Sequence, residues 1–170
     1  GAYSKSTIRT VGERAIINED VVLRGILEAG VLHNTKGYSR VTDRFFLPAT
    51  VLRGFEYAGM GPRQYSNGYN DALGGNKYTV AKFEIDFPLG LPEEYGMSGG
   101  AFYHLGNLWD TGASGGDGLL YDNGAWRHVL GATLFWKTPI GPLRFDFTRA
   151  VRKQTHDEER TFDLSIATKF

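Results

Sequence analysis

Apolar and polar side chains alternate with a period of two through run after run of about ten residues or more. This pattern commits most of the 170-residue chain to long strands with one greasy and one polar face. Trp126, Leu130, Ala132, Leu134 and Trp136 form the clearest such face, with aromatics near both ends and small or aliphatic residues between them. Thr79, Ala81, Phe83, Ile85 and Phe87 repeat it, opposed by Lys82, Glu84 and Asp86. Val21, Leu23, Leu27, Ala29 and Val31 oppose Arg24 and Glu28, and Leu143, Phe145 and Phe147 are set against Arg144 and Asp146, with Arg149 close by. The final run, Thr161 to Phe170, puts Phe162, Leu164 and Ile166 on one face and ends on an aromatic.

Alternation alone is shared by soluble sandwiches and membrane barrels; strand length separates them. Soluble strands run to about five or six residues, whereas a tilted strand crossing a bilayer needs about nine to eleven. The runs here match the longer class. A mean hydropathy of -0.31 is compatible with that reading, because half of each barrel strand faces a polar interior. No run approaches the length of an apolar transmembrane helix. Nineteen basic residues balance nineteen acidic ones, so no global field draws nucleic acid, and the absence of cysteine removes disulfides and thiolate metal sites.

Seven segments emerge, at 2–16, 19–33, 77–87, 96–109, 126–138, 142–152 and 161–170. Bacterial outer-membrane barrels use even strand numbers, so seven strands and a strand-like first residue point to the back part of a larger barrel that begins upstream. The expected fold is an all-β, antiparallel transmembrane β-barrel, with residues 1–170 forming one partial barrel domain. The stiff connection Thr138-Pro139-Ile140-Gly141-Pro142 suits a short periplasmic turn. Gly112 to Asn123 and Gln154 to Arg160 read as extracellular loops.

Between the second and third segments, about residues 34–75, sustained alternation stops, and a loop this long is expected to be functional or disordered. Arg53-Gly54-Phe55 lies at its centre. One reading is an extracellular loop with an incidental basic residue. The other folds the loop into the lumen, where Gly54 permits close backbone approach, Phe55 wedges against the wall, and Arg53 meets Glu84 on the polar face of the next strand.

These features together resemble the BamA-type outer-membrane protein assembly factor family, in the carboxy-terminal half of its barrel. The resemblance rests on Asp43-Arg44-Phe45-Phe46, Arg53-Gly54-Phe55, Gly59-Met60-Gly61-Pro62, Gly74-Gly75 and Lys82-Phe83-Glu84. Ala101 through Asp110, the Ser/Gly-rich 112–118 stretch and Thr138 through Leu143 complete it, over about residues 19–170. It implies the last seven strands of a barrel of about sixteen, preceded by periplasmic POTRA domains absent from this chain. It also implies a lumen-inserted loop latched through Arg53, Gly54, Phe55 and Glu84. His104 stands where the family places an inward Asp, which deprives Arg53 of a second carboxylate. Ala167 replaces a glycine that kinks the last strand, and Leu47-Pro48-Ala49-Thr50 replaces paired glycines.

No catalytic set accompanies the scattered His33, His104, His128 and His156, and there is no Gly-x-Ser-x-Gly elbow. His104 near Glu84 and Asp86 reads as a hydrogen-bonding lumen residue or as part of a metal or acid–base site. No enzyme activity, cofactor or metal is expected. The resemblance implies a protein of the bacterial outer membrane that inserts β-barrel proteins through a lateral seam, with Phe162, Leu164, Ile166, Ala167 and Phe170 on the seam strand. Its partners would be nascent outer-membrane β-barrel proteins, accessory lipoproteins and outer-membrane lipid. A polypeptide-secretion transporter of the same superfamily and a passive porin are the alternatives.

Overall fold

The computed structural model describes residues 3–34, 39–48, 51–66, 69–112, 119–120 and 124–166. Ten strands occur among them: β1 (Tyr3–Ile16), β2 (Val21–Asn34), β3 (Arg63–Ser66), β4 (Tyr69–Ala72), β5 (Lys77–Pro88), β6 (Met97–Trp109), β7 (Leu119–Leu120), β8 (Arg127–Thr138), β9 (Gly141–Arg152) and β10 (Phe162–Ile166). Each of the seven alternating segments supplies one strand of an antiparallel sheet in the order β1-β2-β5-β6-β8-β9-β10. Neighbours in this sheet follow one another in sequence once the small strands are set aside. All of its strands except β10 contain 12 to 14 residues, long enough to cross a bilayer at a tilt.

The expected transmembrane β-barrel, here its last seven strands, is corrected by this topology. The sheet is open, with β1 and β10 as its edges and no pairing between them among the described residues. Closure needs a hydrogen-bond ladder between first and last strands at a consistent stagger. Alternation specifies which side chains share a face; it carries no information about the partner of an edge. The 34–75 stretch also holds more order than its composition suggests. It contains a 3-10 turn, Val41–Asp43, and the short strands β3 and β4, which join β7 in a separate three-stranded sheet.

The two faces of the large sheet differ sharply. Leu27, Phe83, Leu130, Phe147, Leu164 and Ile166 lie exposed on the outer face. On the other face, Tyr78, Val80, Phe102, Leu108 and Val129 are buried against Leu47, Leu52, Phe55 and Met60 of the 39–76 loop. The core of the chain therefore lies between sheet and loop. Burying a large apolar side chain stabilises by about 1.5–3 kcal/mol, so this packing holds the loop down at Leu47, Leu52, Phe55 and Met60.

The long connections gather at one end of the sheet and the tight turns at the other. At the tight end, β8 and β9 are joined through Pro139 and Ile140 alone, and the Thr138 hydroxyl donates to the Gly141 carbonyl across the turn at 2.5 Å. No helix among the described residues is long and apolar enough to cross a membrane, which leaves spanning by strands untouched.

Candidate functional site

The loop is anchored at its root by Arg44. Its guanidinium donates to the Ser39 hydroxyl at 2.9 Å and to the carbonyls of Ser39, Leu73 and Thr111 at 2.8, 3.1 and 3.1 Å. Phe45 bridges Gly75 in backbone pairing and meets the Tyr78 ring edge-on at 4.8 Å. From this root the chain runs across the buried face. Gly54 adopts φ +104° there, and a Cβ at that position would lie 2.7 Å from Val129 Cγ1. Both the dihedral and the close approach require glycine.

Beyond Gly54 the loop pairs with the segment that leads into β10. Phe55 forms an antiparallel bridge with Glu159. Arg160 N donates to Gly54 O at 2.8 Å, Glu56 N to Glu158 O at 2.9 Å, and Glu158 N to Gly59 O at 2.6 Å. Arg160 also lies 3.6 Å from the Glu56 carboxylate and 3.3 Å from that of Asp163. The 54–59 backbone thus serves as a short strand partner for the approach to the terminal strand. Sequence reasoning missed this attachment, because 154–160 carries charge without periodicity.

Arg53 completes it. Its Nη1 lies 2.9 Å from Asp146 Oδ2 on β9 and 3.5 Å from Asp163 Oδ2 on β10. Asp146 and Asp163 are directly opposed in the β9–β10 register. Like charges facing one another across a strand pair repel, and Arg53 places a cation between them. Asp146 is fully buried and also accepts from Arg144 Nε at 3.0 Å and from the Thr133 hydroxyl at 2.7 Å. Burial, and then the like charge of Arg144, hold the Arg53 guanidinium below its ordinary value, while Asp146 and Asp163 act in the opposite sense. An arginine remains charged through such a shift.

The pairing of Arg53 with Glu84 expected from sequence is corrected. Glu84 does face the loop, but its carboxylate takes Arg24 Nη1 at 3.1 Å and His104 Nε2 at 2.9 Å. The reason lies in the register: Arg24 stands directly across from Glu84 on β2, so the cross-strand neighbour meets the carboxylate first. Arg24 further binds Glu13 and Asp86, each at 2.9 Å, linking β1, β2 and β5. His104 is buried and its ring lies against Phe102 at 4.4 Å. With Nε2 donating to Glu84, His104 Nδ1 has no hydrogen-bond partner among the described residues. Of the expected seam residues, Phe162, Leu164 and Ile166 lie exposed on β10; Ala167 and Phe170 fall outside the described residues.

A second buried pair secures the same region. Arg127 at the start of β8 donates through Nε to Asp157 Oδ2 at 2.8 Å and through Nη2 to Asp157 Oδ1 at 3.2 Å, with both side chains fully buried. Among the described residues no group of three or more His, Asp or Glu side chains is placed to hold a metal ion.

A sheet of membrane-spanning length, apolar on its outer face and carrying an inward-packed, ion-paired loop, defines an integral outer-membrane protein of the strand-spanning class. The Omp85 superfamily domain matches residues 2–170, and the chain belongs to that family. Over an alignment of 172 residues it is 34% identical to the outer membrane protein assembly factor BamA of Neorickettsia risticii (strain Illinois), covering 99% of this chain and 22% of that protein. It is 27% identical over 139 residues to BamA of Neisseria meningitidis serogroup B (strain ATCC BAA-335 / MC58), covering 70% of this chain and 17% of that one. The chain thus spans about a fifth of the length of these relatives. The crystal structure of BamA from Haemophilus ducreyi lacking POTRA domains 1-3 superposes with a TM-score of 0.79 at 19% identity, over 95% of this chain and 34% of that chain; this likeness is one of fold.

Proposed function

We propose that this chain belongs to a factor that assembles and inserts β-barrel proteins into the outer membrane, and that β10 is the strand on which substrate strands are templated. The observation that carries the reading is the attachment of the Arg53-Gly54-Phe55 loop to the terminal strand pair: the Arg53 contacts to Asp146 and Asp163, with the 54–59 backbone paired to 158–160. β10 pairs with β9 on one side only among the described residues. In a bilayer an unpaired edge leaves backbone groups without partners, and a substrate strand that adds to the edge satisfies them by β-augmentation. The curated relatives bear the name of outer membrane protein assembly factors, which supports the same reading. Its partners are then nascent outer-membrane β-barrel proteins, the surrounding lipid and accessory lipoproteins of an assembly complex.

In this mechanism the loop is a latch. Arg53 offsets the repulsion between Asp146 and Asp163, so the loop's seating keeps β10 in register on β9 and its outer edge presented. Glu84 and His104 hold the neighbouring β2–β5–β6 wall rather than the latch itself. The test follows insertion of an unfolded outer-membrane barrel into liposomes carrying the intact protein. Wild type accelerates insertion, and Arg53→Ala loses most of the acceleration because the template strand leaves its register. No acceleration by folded wild type with its accessory partners would remove the assembly reading and favour polypeptide secretion. Full acceleration by Arg53→Ala would leave assembly standing and remove the latch.

A further inference from the structure

The outer face carries a groove that the assembly reading does not use. It lies at the end of the sheet where the long connections gather, crosses β5, β6, β8 and β9, and encloses about 540 Å³. Its floor is Ala81 and Leu105, and Ala81 is small beside the exposed Phe83 further along β5. Gly124 and Ala125 keep one side low, and Trp126 forms a wall. His128 and Arg152 stand at the polar end, directly opposed in the β8–β9 register beside the irregularity at His128/Val129.

Two features make that end a donor site. Arg152 is exposed, and no acidic side chain lies within ion-pair distance of it among the described residues. The His128 ring accepts or donates at Nδ1 to the Tyr103 hydroxyl, 2.6 Å away. When the tyrosine hydroxyl is the donor, the imidazole proton lies on Nε2. His128 then offers an N–H next to a guanidinium, above an apolar floor. A tryptophan beside basic side chains is also the composition of a strand end at headgroup depth.

We propose that this groove binds an anionic phospholipid of the adjoining leaflet, its phosphate held by Arg152 and His128 Nε2–H and an acyl chain lying over Ala81 and Leu105. Charge complementarity selects the occupant: a cation and a fixed N–H donor match a phosphate oxygen, and the floor offers nothing to a second polar group. Tyr103 acts as a positioning residue that sets the imidazole tautomer. The volume lies within the usual range of small-molecule sites, about 300–1,000 Å³.

Native mass spectrometry of the intact protein, released from phosphatidylcholine nanodiscs containing a minor fraction of phosphatidylglycerol, tests the site. Wild type retains phosphatidylglycerol in preference to phosphatidylcholine. Arg152→Gln lowers the retained fraction about tenfold, as expected for loss of one charge-assisted contact. Arg149→Gln, on the same face but outside the groove, leaves retention unchanged. Ala81→Trp fills the floor and abolishes retention with both donors in place, which guards against a folding defect in either variant. Tyr103→Phe weakens retention less than Arg152→Gln does. Equal retention of the two lipids, retention that survives both Arg152→Gln and Ala81→Trp, or displacement by inorganic phosphate alone would overturn the proposal; the last would reveal an anion site without a lipid requirement.

Discussion

Asp146 and Asp163 face one another across the β9–β10 ladder, and the loop residue Arg53 lies 2.9 Å from the first and 3.5 Å from the second. Two carboxylates at directly opposed positions destabilise a strand pair. Here Asp146 is buried, so the repulsion is less screened. The cation beside both carboxylates is thus delivered from a loop about a hundred residues earlier in the sequence.

Removing Arg53 should release β10 selectively. In Arg53→Ala, amide exchange across 162–166 accelerates, while β5 and β6 keep their protection. Adding Asp163→Asn removes the opposing charge and restores slow exchange. Hydrogen exchange with mass spectrometry reads both variants. Unchanged exchange in Arg53→Ala, or a double variant no better than the single one, would show that the charges do not set the pairing of β10.

Asp157 anchors the 153–161 connection through Arg127, and that connection carries the 158–160 segment paired to the loop. Asp157→Ala leaves a buried guanidinium without its carboxylate, a change that costs about 3–5 kcal/mol. The expected outcome is protease cleavage within 153–161 and loss of the ladder to 54–59. Limited proteolysis in detergent followed by mass mapping checks it. A cleavage pattern identical to wild type would mean that the pair does not hold the connection.

The strands were legible because their physics is local. Phe83, Leu130 and Phe147 alternate with Lys82, Gly131 and Asp146, and that period survives into the structure as two faces. The openness of the sheet was not legible, because nothing in the alternation of β1 or β10 names the partner of an edge. The expected Arg53–Glu84 contact failed for a related reason. Alternation put Glu84 on the correct face, but register decides contact, and register places Arg24 opposite it. Asp146 had the same inward signature as Glu84 in the run Arg144-Phe145-Asp146-Phe147, and an inward acid with no basic residue opposite was the signal available. The groove at Arg152 and His128 depends on a register irregularity and could not be found by counting.

Gly54 tests whether the loop's seating is a backbone requirement. Its φ of +104° and the 2.7 Å approach of an added Cβ to Val129 both penalise any side chain. Gly54→Ala should cost about 1–3 kcal/mol in strain alone and loosen the 51–62 segment. Gly12 in β1 is the control, since a Cβ there meets nothing within 4 Å. Exchange rates over 51–62 that rise in Gly54→Ala and stay level in Gly12→Ala fit the geometry. Equal rates in all three proteins would mean that the loop tolerates a side chain against Val129.

Leu134 tests the orientation of the sheet in the membrane. It lies on the outer face between Ala132 and Trp136, opposite Phe145 on β9 and Gly99 on β6, midway along β8. Leu134→Arg places a guanidinium where hydrocarbon is expected, at a cost of about 2–4 kcal/mol near the bilayer centre. Thr133 is its neighbour on the opposite face, where its hydroxyl donates to Asp146. Thr133→Ser keeps that bond and should insert normally. Insertion into liposomes, followed by protection from external protease, separates the two variants. Normal insertion of Leu134→Arg would place the outer face in water and reverse the assignment of the two faces.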